Sequence, residues 1–121
     1  MRLCIAAIVA ALAFALPSVA AGDPASWLRA AHCIHYQETR HGWASGWHLT
    51  HTWTGAPSRQ RGGFQIDVDT WAAFAPRRWT RDPAHATRAQ QVVVAHRIWH
   101  ANGDRWGGSQ WPNSSRACGV R

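Results

Sequence analysis

The sequence predicts a small, mainly helical α+β domain in which a short irregular or β-hairpin segment joins the helices and one disulfide staples the chain. Three observations carry that prediction. Three stretches combine helix-starting signals with apolar residues at helical spacing. A glycine- and tryptophan-rich stretch after the first of them breaks the pattern. Two cysteines, Cys33 and Cys118, are the pair that remains once a leader is removed.

The chain opens with Arg2, an apolar run from Leu3 to Leu16, and small residues around Pro17-Ser18-Val19-Ala20-Ala21. This is the pattern of a secretory signal cleaved after Ala20 or Ala21, and the run is too short for a membrane span. Residues 1–21 are therefore read as a signal peptide and 22–121 as one domain, secreted to an extracellular or cell-wall location without stable membrane insertion. Cys4 leaves with the signal and lacks the preceding apolar run of a lipid-attachment site. Cys33 and Cys118 are then expected to form a disulfide in an oxidising compartment. The domain keeps twelve arginines, no lysine and six acidic residues, a net charge of +6 with neutral histidines. That charge favours anionic partners without choosing among wall polymers, membranes and nucleic acid.

Asp23-Pro24 supplies a cap and a favoured first residue for a helix carrying Trp27, Ala31, Ile34 and Glu38 at i, i+4, i+7 and i+11, one narrow stripe. From Thr39 to Gly63, six glycine or proline breaks among Trp43, Trp47 and Trp53 point to an irregular or hairpin-like surface segment. Asp67 or Asp69 then caps a helix containing Thr70, Trp71 and Phe74 that must stop near Pro76. Thr87 and Gln90 form a capping box for a third helix whose apolar residues, Val92 to Trp99, surround it, so that a central and mostly buried element is expected; Gly103 ends it. The tail, with Trp106, Trp111 and Cys118, lacks periodicity and reads as a wrap fastened to the first helix.

Glu38 is the one glutamate in the 121 residues. At the end of an apolar stripe its charged form would lose hydration, so its pKa would rise and it would serve as a general acid. Gly62-Gly63-Phe64-Gln65-Ile66 allows close backbone approach to a ligand and offers the Gln65 amide; Thr70 adds a hydroxyl and Trp71 a flat face for a sugar. These make a saccharide subsite beside an acid. Asp67 and Asp69 are candidate second carboxylates, although helix capping is the better account of them.

The ordered set Cys33, Glu38-Thr39, Gly62-Gly63-Phe64-Gln65-Ile66, Thr70-Trp71, Gln90-Gln91-Val92, Gln110-Trp111-Pro112 and Cys118 resembles the transglycosylase-like domain of the resuscitation-promoting factors. Those are small secreted cell-wall enzymes of actinobacteria with a lysozyme-like fold. The resemblance implies Glu38 as catalytic acid/base, Gln65 and Thr70 as glycan contacts, Trp71 lining the cleft and Cys33–Cys118 as the structural disulfide. Two departures stand out: Glu38-Thr39-Arg40-His41 replaces the family's Glu-Ser-Gly-Gly, and the segment from Glu38 to Gln65 is longer. The implied activity is cleavage of peptidoglycan glycan strands, as a lytic transglycosylase or a muramidase.

The alternative is a non-catalytic glycan-binding module on the same fold, with Trp43, Trp47 and Trp53 as a stacking platform. In the catalytic reading Trp43 and Trp53 are substrate contacts, whereas packing is the better account of Trp27, Trp71 and Trp99, with Trp71 able to do both. The histidine pairs His32/His35, His48/His51 and His96/His100 lack the cysteine or glutamate company of a zinc site, so no metal and no cofactor is expected. The expected partner is glycan rather than nucleic acid, and the expected state is a monomer.

Overall fold

The computed structural model describes residues 24–121 apart from Trp53 and Pro57; the expected signal peptide and Trp53 lie outside the described residues. The elements are helix α1 (Pro24–Thr39), strands β1 (Gln60–Arg61) and β2 (Ile66–Asp67), helix α2 (Val68–Phe74), a 3-10 turn (Pro83–His85), helix α3 (Arg88–Ala101) and helix α4 (Pro112–Ala117). Among the described residues, no helix is long and apolar enough to cross a membrane. The architecture is the mainly helical fold with a small hairpin that the sequence predicts, and the Cys33–Cys118 disulfide is formed.

Helix α1 buries Ala30, Ala31, Ile34 and His35, a wider face than the four-residue stripe suggests, with Trp27 partly buried at its start. It ends where Arg40 turns left-handed at φ 59°; the Thr39 hydroxyl donates back to His35 O at 2.8 Å and accepts from His41 N. The hairpin pairs Gln60 with Asp67 and Arg61 with Ile66, so the turn between its strands is the double-glycine segment. Asp67 caps α2, its side chain accepting from Asp69 N, and both aspartates engage Arg59. That occupies them structurally rather than as second acids.

Helix α3 forms behind the expected capping box of Thr87 and Gln90. It does not bury its whole circumference: Gln91, Val94, Ala95 and Ile98 face inward while Val93 is 39% exposed. Its apolar run mixes core contacts with surface positions, which composition alone does not separate. The tail likewise holds a short helix, α4, in place of a wholly irregular wrap; six residues are too few to register a 3.6-residue period.

Aromatic rings form the middle of the core. Trp47, Phe64, Trp106 and Trp111 pack at ring distances of 5.3 to 6.5 Å, in tilted or edge-on contacts. Gln91 ties this cluster to the hairpin turn: its Oε1 accepts from Gly63 N at 2.7 Å, and its Nε2 donates to Trp47 O and Ala86 O. Gly63 is obligatory, because a Cβ there would lie 2.4 Å from Trp47 Cε3. Gln91→Leu would strand these buried backbone groups at about 1–3 kcal/mol each before relaxation. The expected result is a loss of at least about 2 kcal/mol in denaturant unfolding; an unchanged midpoint would contradict the role assigned to Gln91.

Candidate active site

Glu38 sits in the last turn of α1 with its side chain half-buried at a hollow of about 350 Å³ lined by Gln37, Arg40, Asn113, Ser114 and Ala117. Its Oε1 accepts a hydrogen bond from Ser114 Oγ at 2.5 Å. Burial pushes the carboxyl above its ordinary value of 4.5, while the Ser114 hydroxyl and the nearby Arg40 charge pull it partly back. The acid thus combines resistance to ionisation with a fixed orientation, since one oxygen is tethered.

The tether is supported by the disulfide. Cys33 on α1 precedes Glu38, and Cys118 at the end of α4 follows Ser114, so the two helices run antiparallel and meet at both points. Ser114 itself is only 7% exposed. Sequence reasoning does not single it out, although a signal exists: once Cys33 pairs with Cys118, residues a turn beyond one cysteine must face residues a turn before the other.

Removing the Ser114 hydroxyl takes a donor from the charged form of Glu38 and so raises its pKa further. The Glu38 carboxyl carbon, followed by NMR against pH, is expected to titrate at higher pH in Ser114→Ala and near its original position in Ser114→Thr. Coincident titrations in wild type and Ser114→Ala would show that the bond does not form in solution.

The other expected site residues divide. Gln65 is 2% exposed and left-handed at φ 48°; its Nε2 donates to Gly62 O, and its Oε1 is buried without a hydrogen-bond partner among the described residues. Thr70 is half-buried and lines a different hollow, of about 260 Å³, with Phe74, Ile98, Asn102 and Gln110. Thr70 does not line the hollow of Glu38. The connection between them is the tail: Gln110 Nε2 donates to Gln65 O, Trp111 Nε1 to Phe64 O, and Ser114 to Glu38. One segment, 110–114, therefore borders both hollows and holds the hairpin turn.

Trp71 is a core residue, not a cleft wall. It is 0% exposed, and its indole N–H donates to Thr80 O at 2.8 Å, so no face is presented to a sugar. A domain this small needs its large side chains inside. Trp43 is half-buried, and the His32 ring stacks on it at 3.9 Å and 15°. One face that a sugar would use is already covered.

The histidines are dispersed. His35 is buried, stacked on Trp47, with its ring nitrogens 2.8 Å from Gly63 O and 2.9 Å from Ser45 O. His48 approaches Ala84 O, His96 packs on Trp27, and His100 meets Asp104. Among the described residues, no three His, Cys, Asp or Glu side chains gather as a metal would require.

A profile of the transglycosylase-like domain family matches residues 48–114, a region that contains Gln65, Thr70 and Ser114 but begins after Glu38. Resuscitation-promoting factor Rpf1 of Corynebacterium glutamicum is 31% identical over 115 residues, covering 92% of this chain and 49% of its own length. Rpf2 of the same organism is 33% identical over 60 residues, covering 50% of this chain and 15% of its own. The chain therefore spans about half or less of the length of these relatives. No solved structure matches.

Proposed function

The chain belongs to the transglycosylase-like domain family of the resuscitation-promoting factors, and on that premise we propose that it cleaves the glycan strands of peptidoglycan with Glu38 as the acid/base. The observation that carries this reading is the half-buried carboxyl of Glu38, raised in pKa, tethered through one oxygen by Ser114 and opening on a hollow. A carboxyl of that kind keeps its proton to higher pH than an exposed glutamic acid does, as a general acid must.

In the proposed step, protonated Glu38 gives its proton to the glycosidic oxygen between N-acetylmuramic acid and N-acetylglucosamine. The C–O bond on the muramyl side breaks as an oxocarbenium-like centre develops. Ser114 holds Oε1, which leaves Oε2 as the delivering atom. The resulting carboxylate then accepts a proton either from the muramyl 6-hydroxyl, closing an anhydro ring, or from water, giving hydrolysis. Nothing in this sequence of steps requires a second carboxylate, which fits the engagement of Asp67 and Asp69 by Arg59.

Gln65 contributes by shaping its turn, and Thr70 through its own hollow, so that the glycan runs along segment 110–114, which borders both hollows. The leader pattern at residues 1–21 supports export to the wall. Incubating the mature protein with purified peptidoglycan and analysing released fragments tests the reading. Anhydro-muramyl ends would identify ring closure and reducing ends hydrolysis; retention on the glycan without release would overturn catalysis in favour of a binding module.

A further inference from the structure

A third hollow, of about 570 Å³, lies on the other side of α4, lined by Arg105, Arg116 and Arg121 together with Gly107, Gly108 and Ser115. No acidic residue lines it. Aspartates are engaged by arginines at other places on the surface. Arg59 is paired with Asp67 and Asp69, and Arg61 with Asp82. Arg116 instead donates to the neutral amide of Asn113, and Asp104, next to Arg105, is taken by His100. Among the described residues, Arg105 and Arg121 make no ion pair through their side chains. Three like charges around one hollow favour an anion there.

The three arginines stand on anchored backbone. Asn102 Nδ2 donates to Arg105 O and Gly107 O, both at 3.0 Å, fixing the loop that carries Arg105. Trp106 N donates to Arg121 O at 2.7 Å, and Val120 N to Ser115 O at 3.0 Å, fixing the tail against α4. Guanidinium groups carried on this backbone can match carboxylate or phosphate oxygens in forked pairs.

The position of the hollow indicates which anion. On α4, Asn113, Ser114 and Ala117 border the hollow of Glu38, while Pro112, Ser115 and Arg116 border the arginine hollow. At about 100° per residue these sets face different sides of one short helix. The hollows are thus separated by a helix width, about 10–12 Å with side chains. An extended peptide of three or four residues spans about 10–14 Å.

We propose that Arg105, Arg116 and Arg121 bind the carboxylates of a stem peptide carried by the glycan strand whose sugars lie at Glu38. The site selects strands that still bear stems. This rests on the glycan reading of the Glu38 hollow, but its chemistry is separate from cleavage.

The test is titration calorimetry on Glu38→Gln protein, which cannot consume its ligand, with four probes: stem-bearing glycan fragments, the same fragments with stems removed, free stem peptide, and inorganic phosphate. Arg105→Gln/Arg116→Gln is compared with Arg77→Gln/Arg78→Gln, which removes equal charge elsewhere on the surface; melting curves confirm that both are folded. Stem-bearing fragments are expected to bind about tenfold tighter than stem-free ones, as one or two charge-assisted bonds imply. Arg105→Gln/Arg116→Gln should erase that difference and the control should keep it within about twofold. Equal losses in both variants, no effect of stem removal, or arginine-dependent binding of phosphate alone would each overturn the assignment. Arginine-dependent binding of free stem peptide, together with no release of glycan from purified peptidoglycan by the folded wild type, would sustain it while refuting the cleavage reading.

Discussion

Glu38→Gln is expected to lower glycan cleavage by about 10³-fold or more, because one residue serves both proton transfers and each typically contributes roughly 10²- to 10⁴-fold. The same substitution should leave the protein folded and more stable at neutral pH. The sign follows from linkage. Burial raises the Glu38 pKa in the folded state, so the folded protein holds that proton more tightly than the unfolded chain does. The associated stability is complete below the ordinary value of 4.5 and is lost as pH rises through the raised pKa. Above it, the wild type carries a poorly hydrated carboxylate, whereas the variant carries a neutral amide. Melting temperatures of the two proteins should therefore converge in acid and separate as pH rises through the raised pKa, with the glutamine variant higher. A less stable variant at neutral pH would mean that the carboxylate is held by net favourable contacts, which is the opposite of a stored proton.

Loss of the disulfide has the other large effect. Cys33 and Cys118 are 85 residues apart, and closing a loop of that length is worth about 4–5 kcal/mol in the chain-entropy model. Single domains have about 5–15 kcal/mol in total. Reduction, or Cys33→Ala with Cys118→Ala, is expected to lower the melting temperature by more than about 15 °C. There is also a local consequence: α4 is a six-residue helix, short for independent stability, and the bridge holds it beside α1. Cleavage should therefore fall in the reduced protein even at temperatures where α3 and the hairpin remain protected from hydrogen exchange. Melting with and without reductant, combined with activity below the transition, separates the two effects. A reduced protein melting within a few degrees of the oxidised one would show that the aromatic core suffices alone.

The features legible in the residues are those that local chemistry encodes. The Thr87–Gln90 capping box, the Asp67 cap and the stop before Pro76 each depend on a few neighbouring atoms, and α2 and α3 begin and end where those signals place them. The disulfide follows from cysteine count and compartment. Trp71 shows where such reasoning stops. A tryptophan beside a candidate sugar subsite reads alike whether its face is open or packed, and only the surrounding fold decides between them. Ser114 escapes for the complementary reason. Its partner is 76 residues away, and it becomes visible only when Cys33–Cys118 fixes the register of α1 against α4. The separation of Thr70 from the Glu38 hollow belongs with these, since sequence proximity to Gln65 carries no information about which side of the tail a hydroxyl reaches.

The most direct test of catalysis by Glu38 is parallel digestion of purified peptidoglycan by the mature wild-type protein and by Glu38→Gln, with soluble fragments analysed by mass spectrometry. Glycan-cleaved muropeptides are expected from the wild type and none above background from the variant, both proteins being folded. Equal release by the two, or no release by a folded wild type, would contradict the assignment.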